Sequence, residues 1–196
     1  MSDVTRREAM QILGGIPLLA VGLSPQAVSR ATIGARNALS APAAFTPKFF
    51  TPHELTTAGV LADLVIPRDE RSGSATDAGV PQFMDFILDE NEDMRTPFRG
   101  GLAWLDAESH RRFGKDFVEA TDAQRRQILD DIAWPAKARP EFSQGVAFFN
   151  KFRDLTASGF YSSKLGVEDL QYLGNQFVME WQGCPPTALA KLGVRY

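Results

Sequence analysis

Histidine and cysteine are scarce in this 196-residue chain, with two of the former and one of the latter. That scarcity narrows the available chemistry. His53 and His110 stand far apart and in neither an HxxxH nor an HExxH spacing, so no single helix offers a metal two imidazoles. Cys-x-x-Cys-His is missing, which excludes covalent attachment of haem to this polypeptide. No glycine fingerprint follows a predicted strand, and Gly100-Gly101 falls inside a helical pattern, so there is no recognisable cradle for a nucleotide or dinucleotide phosphate. A calcium loop needs alternating oxygen ligands around a glycine and a closing glutamate, and DERSGSATD, residues 69–77, does not supply them. No apolar run reaches the roughly 20 residues of a membrane-spanning helix.

Positive charge is also in short supply. The formal net charge is -3, and residues 1–43 carry four arginines against Asp3 and Glu8, so the remainder is more acidic than the whole. Such a surface excludes nucleic acid as a natural partner. Arg111-Arg112 and Arg125-Arg126 sit on predicted helices among Glu108, Asp116, Asp122 and Asp130, a pattern that reads as a solvated face. The carboxylate clusters Asp89-Glu90, Glu92-Asp93, Asp130-Asp131 and Glu168-Asp169 read the same way, because adjacent residues on a helix point to different sides.

What the chain does have begins at its N-terminus. Arg6 and Arg7 precede a mildly apolar stretch from Ile12 to Leu23 that is broken by Gly14, Gly15 and Pro17. The layout resembles a twin-arginine export signal, the address of proteins that fold before crossing a bacterial inner membrane. Ala38-Leu39-Ser40 and Ala41-Pro42-Ala43 offer small residues for cleavage. Residues 1–43 are therefore read as signal and linker, flexible and preceding a single domain at 44–196, the alternative being a buried helix or an uncleaved membrane anchor over residues 8–28, and the expected location is periplasmic, in solution or held at the membrane through a complex. Removing about 40 residues leaves about 150, the size of one ordinary domain. Hydrophobic residues make up 44% of the chain and include 14 Phe, enough to build its core.

The elements are helical. Thr51-Pro52-His53-Glu54 combines a capping threonine, proline at the first helical position and glutamate three residues after the cap. It predicts a helix to about Ile66, stopped by Pro67. A polar loop follows, then a short helix with Phe83, Phe86 and Ile87 on one face, ending in the acidic DENED stretch. Thr96-Pro97 predicts the start of another. Thr121 to Gln124 repeats the capping box, and a longer helix is expected from near Glu141 to Ser158-Gly159, with Phe148, Phe149, Phe152 and Leu155 on a wide aromatic face. Turns and short helical pieces are expected beyond. No strand alternation of useful length appears, so the expected fold is all-α, with five or six helices.

Cys184 lies in WQGCPP, where two prolines oppose helical burial and suggest an exposed or partner-facing segment. An odd cysteine in an exported protein is either a reduced thiol or one half of an intermolecular disulfide.

From about Phe49 to Gly193 the chain resembles the gluconate 2-dehydrogenase subunit 3 family, the small subunits of periplasmic flavin-dependent sugar and sugar-acid dehydrogenases. The resemblance is carried by FFTPHELTTAGVLADLVIPRDERSGSATDAGVPQFMDFIL, TDAQRRQIL, FFNKFRDLTASGFYSS and GCPPTALAKLG. It implies a non-catalytic subunit, with no cofactor or metal site of its own. It also implies a large partner of the glucose-methanol-choline type holding FAD, and in some complexes a cytochrome c subunit carrying haem. The export signal at Arg6 and Arg7 would then serve the large subunit too, and Cys184 is a candidate for an intersubunit disulfide. The other reading is an independent small-molecule-binding or catalytic helical domain using some of His53, Asp63, His110 and Glu168. The sequence reveals no convergence of those four.

Overall fold

Local capping decides where most of the helices start. In the computed structural model, which describes residues 23–41, 45–171, 179–180 and 183–194, the α-helices are α1 (Pro25–Ser40), α2 (Pro52–Val65), α3 (Val80–Glu90), α4 (Glu92–Phe113), α5 (Asp122–Ile132), α6 (Ser143–Ser162), α7 (Lys164–Asp169) and α8 (Pro186–Leu192). A 3-10 turn, Pro140–Phe142, leads into α6. There is no strand among the described residues. The fold is all-α, as expected. Arg6 and Arg7 lie outside the described residues.

Both capping boxes form. Thr51 Oγ1 accepts the Glu54 N–H at 3.2 Å and Glu54 Oε2 accepts the Thr51 N–H at 2.8 Å, while Thr121 and Gln124 make the same exchange ahead of α5. Four orphan amides at a helix start are a fixed cost of the geometry, and each box removes part of it.

Three boundaries depart from expectation. α4 starts at Glu92 rather than beside Pro97, which sits inside the helix. The reason is tertiary: Asn91 Nδ2 donates to the Ile87 carbonyl at 2.6 Å, Arg95 Nε donates to the Leu88 carbonyl at 2.9 Å and Arg95 Nη2 donates to that of Asp89. The last carbonyls of α3 are thus capped from the first turn of α4, and the two helices follow one another across one residue. α6 runs through Gly159 to Ser162, because this glycine is a packing position. A Cβ there would lie 2.8 Å from Phe83 Cδ1. The third departure is α1, a helix within the stretch read as signal and linker. Ser24 caps it, Pro25 opens it, and Ala27, Val28, Ala31, Ala35 and Ala38 are its buried stripe.

α6 is the central element, packing against α1 to α5 and α7. Its approach to α4 is close because Gly101 faces Phe148, whose ring would be 2.0 Å from a Cβ at that position. The glycine pair inside α4 is therefore compatible with a long helix. Phe83, Phe98, Phe117, Phe152 and Phe160 are fully buried, and Phe98, Phe148 and Phe152 form a contiguous aromatic cluster with centroids 5.6 to 6.3 Å apart.

Candidate functional site

The two histidines, 57 positions apart in the chain, both engage Asp106 on α4. His53 in the first turn of α2 places Nε2 2.7 Å from Asp106 Oδ2, and Asp106 Oδ1 accepts the Phe117 N–H at 3.0 Å. One turn further on, His110 Nδ1 is 3.1 Å from Asp116 Oδ1 and 3.3 Å from the Asp106 carbonyl. The hydrogen bond that His53 donates to the Asp106 carboxylate raises the His53 pKa, against an opposing effect of burial and with help from the charges of Asp106, Asp116 and Glu54. This arrangement orients the His53 imidazole and stitches the turn after α4 back onto the helix. Sequence spacing could not show it, because the convergence is made by packing α2 on α4.

The other candidates go elsewhere. Asp63 accepts the Thr76 N–H and hydroxyl at 2.8 and 2.7 Å, fixing the polar loop to α2. Within that loop Asp77 accepts the Ser74 N–H at 2.7 Å and an Arg68 N–H at 2.7 Å, and these contacts, the Ser74 amide first, hold its carboxyl below the usual range. Asp69 is likewise lowered by the Ser72 and Arg71 amides. Glu168 pairs with Lys164 at 3.7 Å on the exposed side of α7. Of the four candidates only His53 and His110 share a neighbourhood. No group of three or more His, Cys, Asp or Glu is arranged to hold a metal among the described residues.

Two carboxylates that sequence reasoning passed over are the most deeply engaged. Asp85 on α3 is fully buried. Its Oδ1 accepts the Phe49 and Phe50 N–H groups at 3.0 and 2.9 Å, and its Oδ2 accepts that of Lys48 at 2.9 Å. Glu108 on α4 is nearly buried and holds both Arg111 and Arg112, and Arg112 continues to Asp131 on α5 at 2.8 Å. The reading of the two arginine pairs as a solvated face is corrected for one member of each. Arg112 keeps a side-chain exposure of only 17%, and Arg125 reaches in to donate to the Phe117 and Val118 carbonyls. The available signal for Asp85 was a lone charge in an otherwise uncharged, mostly apolar segment, VPQFMDFIL.

The C-terminal arm has a different character. None of the α8 residues is buried, and Leu192 and Val194 are 71% and 51% exposed, with Met179 at 91%. Pro186 opens α8, and Cys184, two residues before it, is half-buried. No helix of the described residues is long and apolar enough to cross a membrane.

These features define a helical domain whose buried polar groups brace its own loops and helix ends, and whose last described helix buries none of its residues. The family model for gluconate 2-dehydrogenase subunit 3 matches residues 52–182, and the chain belongs to that family. By that description it is one subunit of a multi-subunit dehydrogenase, which implies partner subunits. Neither the curated proteins nor the solved structures compared with the chain give a match.

Proposed function

We propose that this chain is the non-catalytic small subunit of a periplasmic, FAD-dependent dehydrogenase of the glucose-methanol-choline type, acting on gluconate or a related sugar. It escorts the folded flavoprotein through twin-arginine export and then stabilises it. The family match over residues 52–182 carries the reading. Two further features support it. Arg6 and Arg7 stand where an export signal places its arginines, and folded export suits a partner that must bind FAD before it is translocated. The apolar residues of the C-terminal arm, Met179, Leu192 and Val194, are available to a partner's surface. FAD belongs to the large subunit, and haem to a cytochrome c subunit where one is present.

Co-expression tests this directly. The large subunit should reach the periplasm and co-purify with this chain only when the two are made together, and the double substitution Arg6→Lys, Arg7→Lys should hold both in the cytoplasm. Export of the flavoprotein without this chain, or unchanged export of the double variant, would refute the escort role. Oxidation of a sugar by this chain alone would refute the accessory assignment.

Cys184 has its own readout. An intersubunit bridge predicts a heterodimer band on a non-reducing gel that disappears with reductant and with Cys184→Ser. If wild type shows only separate bands after alkylation at harvest, Cys184 is a thiol in the complex and the arm holds the partner through its apolar residues.

A further inference from the structure

We propose that α1 remains in the mature protein and that the export segment is removed on the N-terminal side of Leu23, rather than at Ala38-Leu39-Ser40 or Ala41-Pro42-Ala43. The inference rests on the export reading above and adds to it the place where processing stops. In the reaction, a signal endopeptidase adds water across one peptide bond, leaving a carboxylate on the discarded segment and an amine on the domain. Such an enzyme needs its bond in an accessible, extended backbone, so burial and hydrogen bonding decide which bonds are available.

Twin-arginine cargo is folded before it meets the peptidase, and in the folded chain α1 is part of the core. Leu23, Ala27, Val28, Ala31 and Ala35 are all buried within the main hydrophobic cluster. Gly34 lies against the Phe86 ring of α3 so closely that a Cβ would be 2.6 Å from Cε2, and Arg30 forms a two-pronged pair with Glu90 at the end of α3, at 2.8 and 3.3 Å. Ala38 is buried, Leu39 packs over Gly79, and the Ala41 N–H donates to the Asn37 carbonyl at 3.1 Å. Cutting within 38–40 requires the last turn of α1 to unwind. Cutting there or just beyond it also frees a sixteen-residue helix to leave. Its departure would strip Thr32, Ala35 and Leu39 from the wall of a cavity of about 90 Å³ whose other sides include Phe83 and Leu165.

The stretch before α1 carries a sequence suited to cleavage. Ala20-Val21-Gly22 lies at the end of the apolar run and places small residues at the third and first positions before the Gly22–Leu23 bond, as signal cleavage prefers. Cutting there leaves the whole of α1 in the domain, with Leu23 as the new N-terminus and Ser24 still capping the helix through the Ala27 N–H at 3.2 Å.

The test uses the full chain, co-expressed with its large subunit in a bacterium with twin-arginine transport. The periplasmic form is analysed by N-terminal sequencing and intact mass. The expected N-terminus is Leu23, with Ala20→Asp abolishing processing and Ala41→Asp leaving it unchanged. An N-terminus between Leu39 and Ala44, or an uncut chain in the periplasm, would overturn the proposal while leaving export intact. Uncut chain confined to the cytoplasm, with its partner exported regardless, would instead overturn the export reading itself, and this proposal with it.

Discussion

Asp85→Ala is expected to destabilise the domain by about 4 kcal/mol, lowering its thermal midpoint by roughly 10 °C. Three backbone N–H groups, those of Lys48, Phe49 and Phe50, end on this one carboxylate. A hydrogen bond to a charged acceptor contributes about 1.5–3 kcal/mol, and a buried donor left without one costs about 1–3 kcal/mol. Relief from holding a carboxylate out of water offsets part of the loss, so the sum falls below three full bonds. The consequence is wider than the site, because the segment carrying Phe49 and Phe50 has few other anchors. Those rings pack edge to face at 5.0 Å, and Arg99 both stacks over Phe49 at 4.8 Å and donates to its carbonyl at 2.7 Å. Asp85→Asn should cost about half as much, since one amide oxygen can still accept two of the three N–H groups while its NH2 faces the third. Urea unfolding followed by circular dichroism measures both. A loss under about 1 kcal/mol for the alanine variant would mean that water replaces the carboxylate at no cost, and that Asp85 does not anchor the segment.

The same residue shows where the sequence was legible. Features determined within four residues could be read: both capping boxes, the stop at Pro67, and the aromatic face of α6 all stand where their local patterns put them. Contacts between distant residues could not. Asp85 meets its partners across 35 to 37 positions and His53 meets Asp106 across 53, and nothing in a helical period records such pairings. The early start of α4 belongs with these, since its Arg95 and Asn91 cap the preceding helix rather than their own. α1 escaped for a different reason. Its buried stripe is mostly alanine, which helical periodicity registers weakly, and it directly follows a stretch with the look of an export segment. Gly101 and Gly159 read as helix breakers in isolation, whereas facing Phe148 and Phe83 they are the positions that let helices approach. The family was legible because its motifs are local stretches, while the surfaces that meet partner subunits leave no comparable local mark.

Glu108→Gln is expected to cost about 2–3 kcal/mol near neutral pH, and its pH dependence distinguishes charge from packing. Glu108 keeps only 8% of its side chain exposed and faces two guanidinium groups, with Arg111 Nη2, Arg112 Nε and Arg112 Nη2 at 2.5 to 2.6 Å from Oε1. Breaking a buried pair typically costs about 3–5 kcal/mol. The lower figure applies because Arg111 is largely exposed and Arg112 retains Asp131 at 2.8 Å. The hydrogen bond from Arg111, then that from Arg112, holds the Glu108 carboxyl below the usual range despite its burial. A carboxyl depressed in the folded state contributes its full stabilisation above the unfolded value, about 4.3, and loses it as pH falls through the folded value. The difference in urea midpoint between wild type and Glu108→Gln should therefore be constant from pH 8 to about 5.5 and shrink progressively below about 4.5. An amide of nearly the same shape preserves the packing against α5. A gap that stays constant between pH 6 and 3 would accordingly assign the loss to altered hydrogen-bond geometry and remove charge from the account of how α4 and α5 are held together.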